Sequence, residues 1–167
     1  MRKGLYILGD LKDTDLIWLS RSGLVQTVGK GDCLIRPGVD IADLYFITEG
    51  KFSVRIGASD VADLGVGDVM GEMSFVERRP PAALVTALTD ARVLAVPRAT
   101  LLEEFAHNDG FAARFYRALA VFLSDRLRSM SPDDDADEID EMLLETLHVA
   151  GDRLLRLIQL LEGEAAA

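Results

Sequence analysis

Cysteine is almost absent from this sequence. Cys33 stands alone, which excludes an intramolecular disulfide framework and any all-cysteine cluster supplied by one chain. His107 and His148 are the two histidines and lie far apart, so no metal site is expected. No apolar run approaches the ~18 residues that would span a bilayer. Leu5-Tyr6-Ile7-Leu8, after Met1-Arg2-Lys3, is too short for the apolar part of a signal peptide, so a cytoplasmic location is expected. Positive charge is also short: the formal net charge is −10. The deficit is local, because residues 1–130 hold 17 acidic and 16 basic residues whereas 131–167 hold 11 acidic residues against Arg153 and Arg156. A nearly neutral body with an acidic tail lacks the basic footprint that neutralises nucleic-acid phosphates, so no DNA partner is expected. A nucleophile elbow, a zinc motif and a kinase-like signature are all missing. The expectation is a non-enzymatic protein with no catalytic residue and no metal ligand.

What is present suffices for one substantial core: 167 residues, 49% hydrophobic, predict one domain plus a helical extension. Asp13-Thr14-Asp15-Leu16-Ile17-Trp18-Leu19 reads as a helix start with acids in its first turn, a buried stripe of Leu16, Ile17 and Leu19, and Gly23 placed to end it. Trp18 is assigned to the core. From Leu24 to Pro97 short apolar runs are cut by Gly, Asp and Pro: Leu24-Val25, Cys33-Leu34-Ile35, Leu44–Ile47, Phe52–Ile56, Val61–Leu64, Asp68–Met70, Ala83–Thr86 and Ala91–Val96. With turn signals at Gly31-Asp32, Pro37-Gly38, Glu49-Gly50, Ser59-Asp60 and Gly67-Asp68, this predicts an antiparallel barrel or sandwich. The alternation in Phe52-Ser53-Val54-Arg55-Ile56 predicts one face in the core and one in water. Cys33, within an apolar run, is expected to be an inert buried thiol. Gly65-x-Gly67-x-x-x-Gly71 has the wrong spacing for a dinucleotide fingerprint and reads as turn glycines.

After Pro97 the period becomes helical, starting at Leu101–Phe105. Phe111, Phe115, Leu119, Leu123 and Leu127 recur every four residues, predicting an amphipathic helix over 110–130 with Arg114, Arg117, Arg126 and Arg128 on its polar side. Ser131-Pro132-Asp133-Asp134-Asp135 breaks it. A last helix over 137–162 carries Leu143, Leu147, Ala150, Leu154, Leu157 and Leu161 at coiled-coil spacing, widened by Leu144, Leu155, Ile158 and Leu160. The expected organisation is thus a domain over 1–130, then an acidic linker and amphipathic helix over 131–167. Docking of the last helix onto the preceding one is one reading, with the acids of 133–138 meeting Arg126 and Arg128. A merely solvated linker is the other.

Three stretches carry a resemblance: Gly31-Asp32-x-Leu34-Ile35-x-x-Gly38, then Leu44-Tyr45-Phe46-Ile47-x-Glu49-Gly50-x-x-x-Val54, then Leu64-Gly65-x-Gly67-Asp68-x-x-Gly71-Glu72-Met73. Residues from about Asp15 to Met130 resemble the cyclic nucleotide-binding domain family, the effector-binding half of catabolite-activator-like regulators. The resemblance implies an α+β fold: an antiparallel β-roll (a double-stranded β-helix, jelly-roll-like) with flanking N- and C-terminal helices, in which 110–130 lids the nucleotide and dimerises. It implies that Gly71 and Glu72 engage the ribose 2′-hydroxyl, and that Met73, Ser74 and the residues to Val76 form a small helix facing the phosphate; the other reading of Glu72 is an acceptor for nearby loop amides. The family's corner then reads Pro-Arg-Ser/Thr-Ala, the arginine pairing with the phosphate; here it is Pro80-Pro81-Ala82-Ala83. Losing a charge-assisted pair of roughly 1.5–3 kcal/mol per bond weakens phosphate binding on the order of 10²-fold. Arg78 and Arg79, just upstream, are the candidates to replace it; as solvated loop arginines, the plainer reading, they would not.

Two functions follow. One is a regulatory sensor, without a resident cofactor, that takes cyclic AMP (cAMP) or cyclic GMP (cGMP) at an atypical phosphate loop and signals through its C-terminal helices. The other is a nucleotide-independent scaffold or oligomerisation module that keeps the fold only. Nothing after Met130 reads as a helix-turn-helix with a basic recognition helix, so output is expected through self-association of 110–130 and 137–162 or through a protein partner.

Overall fold

A computed structural model describes residues 5–129 and 141–165, with side-chain surroundings for 7–124 and 148–163. The boundary expected at 130/131, the acidic run and the side chains of Arg126, Leu127, Arg128, Leu143, Leu144 and Leu147 lie outside these. The chain divides into two compact units, one built from Leu19–Glu103 and the other from Lys3–Trp18 with Glu104–Ala167.

The first unit is the β-roll. Its strands are β1 (Leu24–Val28), β2 (Cys33–Ile35), β3 (Asp43–Glu49), β4 (Phe52–Ile56), β5 (Ser59–Leu64), β6 (Val69–Met70), β7 (Leu84–Ala87) and β8 (Ala91–Pro97). They form two four-stranded sheets of order β1-β8-β3-β6 and β2-β7-β4-β5, every pair antiparallel. The α+β β-roll expected from the resemblance is what the chain forms.

Sequence pattern tracks how each sheet is covered. In β3, Tyr45 and Ile47 face the roll's interior with Phe52, Met70, Val85 and Val93. The intervening Leu44 and Phe46 are also buried. A strand buried on both faces needs a continuous apolar run, and 44–47 is one. The β4 strand has a wet face: Phe52 is buried and Val54 half-buried, while Arg55 is exposed. The expected alternation fails at Ile56, which is 48% exposed. The register shift beside it puts its extra residue, Val61, in β5, and β4 keeps step with β7 through Arg55; Ile56 is exposed as the last residue of the strand, at the turn end of the β4–β5 hairpin.

Three further expectations are corrected. The turn signal read at Ser59-Asp60 belongs to β5. The turn itself is Gly57-Ala58, closed by Ile56 opposite Ser59, with Gly57 at φ 59 supplying the left-handed position that a two-residue hairpin needs. Cys33 is half-buried rather than buried, and its Sγ–H donates to the Ile35 carbonyl at 3.2 Å. Arg114 is not a solvated polar position, as the second unit makes clear.

That unit contains α1 (Leu5–Asp10), α5 (Asp109–Ser129) and α6 (Glu141–Ala165), with the first part of α2 (Asp13–Ser22), to Trp18, and the last part of α4 (Arg98–His107), from Glu104. Helix α1 has no counterpart in the sequence reading. Six residues do not hold a helix by themselves; α1 forms because it packs on α5 and α6, where Ile7 and Leu8 are almost wholly buried. Arg153 of α6 donates through Nη1 to the Gly9 carbonyl and, at 3.3 Å, to that of Leu8. These are acceptors that a helix end leaves unsatisfied. Trp18 is half-buried and meets Phe111 edge-on at 5.5 Å. Phe105, Phe111 and Phe115 continue the aromatic cluster.

Asp15, 2% exposed, accepts two bonds of 2.7 Å from Nε and Nη2 of Arg114 and a third from the Lys12 N–H at 2.8 Å. The bonds to Asp15 push the Arg114 pKa upward, with burial acting against them. By contrast, Arg156–Asp13 and Arg117–Asp10 are loose pairs at 3.9 Å. Removing Arg114 leaves a buried carboxylate without its cation, so Arg114→Ala is expected to lose ~2–4 kcal/mol and Arg156→Ala no more than ~0.5 kcal/mol, read from urea melts of the two variants.

Candidate functional site

The site expected from the sequence lies in the β-roll unit, where β6 ends and α3 (Glu72–Glu77) begins. Gly71 makes the junction at φ 89, ψ 3, a left-handed conformation that glycine adopts without a Cβ penalty. Space imposes the same choice. A Cβ at Gly71 would stand 2.8 Å from Ile41 Cδ1 and 3.3 Å from the Asp43 carbonyl oxygen. The turn is closed by the Phe75 N–H on the Gly71 carbonyl at 3.0 Å.

Within α3, Glu72, Ser74 and Phe75 are buried whereas Met73 and Val76 are exposed. Glu72 is only 6% exposed, and a carboxylate that far from water requires polar company. The helix stops at Arg78, itself left-handed at φ 55, ψ 41, with its N–H on the Ser74 carbonyl. Among the described residues Arg78 is the one non-glycine with positive φ, and its backbone shape ends α3 as a glycine would.

The proline corner follows. Pro81 is half-buried, and its carbonyl accepts the Gly38 N–H at 2.8 Å, tying the corner to the β2–β3 turn. Ala82 is exposed and Ala83 half-buried, while Arg78 and Arg79 are both exposed. Gly71, Glu72, Met73 and Ser74 therefore share one turn of chain, and Pro81 to Ala83 lead into β7. The Pro81 and Ala82 positions present a pyrrolidine ring and a methyl group, neither of which donates a hydrogen bond.

Sequence reasoning missed three neighbours of this turn. Ile41 and Asp43 bound Gly71, and Tyr45 lies opposite Met70. Burial first, then the Asp43 carboxylate, push the Tyr45 phenol above its ordinary 10.0, so the hydroxyl is neutral at physiological pH. Alternation from Asp43 through Tyr45 to Ile47 was the available signal.

The double constraint on Gly71 is separable. Gly31 has φ +90 but open space where its Cβ would sit. Gly31→Ala therefore reports left-handed strain alone, about 1 kcal/mol, and Gly71→Ala is expected to lose at least ~1 kcal/mol more through overpacking against Ile41. Parallel thermal melts give the difference.

Comparison with known proteins agrees with this geometry. The profile of the family described as "Cyclic nucleotide-binding domain" matches residues 25–108. The chain is 36% identical over 93 residues to the voltage-gated inwardly rectifying potassium channel KCNH6 of Rattus norvegicus, covering 54% of this chain and 10% of the channel. It is 35% identical over 86 residues to the cAMP-dependent protein kinase type II regulatory subunit of Drosophila melanogaster, covering 48% of this chain and 22% of the subunit. The chain thus spans a small part of the curated relatives it matches. Among solved structures, the N-terminal domain of a transcriptional regulator from Streptomyces coelicolor superposes with a TM-score of 0.61 at 29% identity, over 75% of this chain and 91% of that one. The Thermus thermophilus catabolite activator protein superposes at 0.66 and 20% identity, over 96% and 88%, a likeness of fold. No helix among the described residues is long and apolar enough to cross a membrane. With its profile match spanning both sheets and the Gly71 turn, the chain belongs to the cyclic nucleotide-binding domain family, a family of regulatory domains.

Proposed function

We propose that this chain is a non-enzymatic, cytoplasmic sensor that binds a cyclic nucleotide at the Gly71–Ser74 turn. The observation that carries this reading is the burial of Glu72 directly after a left-handed Gly71. A carboxylate accepts hydrogen bonds and donates none, which suits it to the hydroxyls of a ribose. The phosphate half is served differently. Neither Pro81 nor Ala82 supplies a side-chain donor, so Arg78 and Arg79, exposed at the end of α3, are the residues that meet the phosphate. Output runs through the helices after β8, which passes into α4 with no residue between Pro97 and Arg98. Self-association or a protein partner receives it.

The proline corner also favours a second reading, a nucleotide-independent module that keeps the scaffold and has given up the ligand. A thermal-shift screen of the full chain with cAMP and cGMP separates the two. Ligand at ~100 times its dissociation constant stabilises by about 2.7 kcal/mol, a rise of roughly 2–4 °C in Tm for a chain of this size. No shift at millimolar nucleotide overturns the sensor reading. Pro81→Arg with Ala82→Ser is expected to raise affinity on the order of 10²-fold if Gly71 and Glu72 hold the sugar half. Arg78→Ala with Arg79→Ala is expected to weaken binding and flatten its salt dependence, since the charges that respond to salt are then gone.

A further inference from the structure

Four arginines from two helices converge on one short corner of the helical unit, residues 8–15, which spans the end of α1 and the start of α2. From α5, Arg114 binds Asp15 at 2.7 Å and Arg117 approaches Asp10 at 3.9 Å. From α6, Arg153 donates to the Leu8 and Gly9 carbonyls, and Arg156 approaches Asp13 at 3.9 Å. Both helices are thus fastened at the same place, but the two fastenings differ in kind. The α5 grip has a buried centre: letting Arg114 go would strand the Asp15 carboxylate, which is 2% exposed, away from water. The α6 grip is wetter. Arg153 is half-buried and meets neutral carbonyls, while the Arg156 and Asp13 side chains are 54% and 64% exposed, where an ion pair contributes little.

Helix α1 ties its own fate to α6. It packs on both α5 and α6, and Ile7 and Leu8 are buried there. With six residues it has no stability of its own and depends on its covers. When α6 lifts, the last carbonyls of α1 lose Arg153, and its apolar side chains lose part of their shelter. The short helix then melts with the departure of the long one. Helix α5 is under no such condition, because its link to α2 through Arg114 does not pass through α6.

We infer that α1 and α6 form one cooperative opening unit, released at the α1–α2 corner by Arg153 and Arg156 while Arg114 keeps α5 fastened. The inference goes beyond the sensor reading and holds whether or not a nucleotide binds. It gives the output of the helical unit a physical form, an order–disorder step of two helices against a third that stays folded. Hydrogen–deuterium exchange of the full chain, read peptide by peptide in a mass spectrometer, tests it. The best-protected amides of α1 and α6 are expected to share one protection factor, lower than that of residues 111–122 in α5. Arg153→Ala is expected to speed exchange in α1 and α6 alike by about 10-fold and to leave 111–122 unchanged. Ile7→Ala, a change on α1 alone, is expected to speed α6 as much as α1. Native protection factors of α1 and α6 that differ by more than about 10-fold overturn the inference without any variant. Acceleration of one of the two helices alone overturns it as well. So does equal acceleration of 111–122, because the helices then open only when the whole unit does. Unchanged exchange in Arg153→Ala also overturns it, since the corner is then not the latch.

Discussion

Between β6 and α3 the backbone has one narrow way through. The chain turns left-handed at a single residue while Ile41 Cδ1 and the Asp43 carbonyl oxygen stand 2.8 and 3.3 Å from where a Cβ would be, closer than ordinary van der Waals contact. Only glycine meets both conditions, and everything that follows inherits its geometry from that residue. The Gly71 carbonyl receives the Phe75 N–H, Phe75 is buried, and Glu72 enters the protein interior instead of water. At the far end Arg78 turns left-handed without being glycine. The short helix is thus held between two left-handed residues, one enforced by crowding and one tolerated in the open.

How much of this was legible depended on whether the determinant was local. The continuous run 44–47 and the alternation 52–54 follow from whether one or both faces of a strand are covered, so β3 and β4 could be read directly. Gly71 and Glu72 could be placed because the turn leaves a spaced signature. Ile56, by contrast, keeps the apolar alternation but stands at the turn end of the β4–β5 hairpin, and how far the core covers that end is not written in the local pattern. Helix α1 has too few residues to show a period and exists only because α5 and α6 cover it. Arg114 looked like one more polar position, since nothing nearby in sequence reveals a partner 99 residues away at Asp15. Tyr45 was hidden in the opposite manner. It sits in an apolar run, where its ring is at home and its hydroxyl attracts no notice.

The helical unit shows how heptad spacing can be satisfied within one chain. Ala150, Leu154 and Leu157 of the expected seam are buried, whereas Leu155, expected to widen the apolar face, is 60% exposed. Yet the surface under α6 includes α1, and Arg153 adds hydrogen bonds to its last carbonyls. A leucine seam says that a helix will be covered. It does not say whether the cover comes from the same molecule.

The sheet order has a consequence for how the molecule comes into being. The last strand, β8, lies between β1 and β3, with Leu24 opposite Ala95 and Leu44 opposite Val96. Until Val96 has been synthesised, β1 has no neighbour on either side and β3 keeps only the two-residue β6. Pairings this distant in sequence close slowly, because the loop entropy is lost before the contacts form. On the ribosome these strand edges therefore stay open until β8, which ends a little over halfway along the chain, has been added. The sheet that holds β8 is completed only when this last strand emerges, so a nascent chain stopped short of β8 is a candidate for chaperone capture rather than a partly working domain.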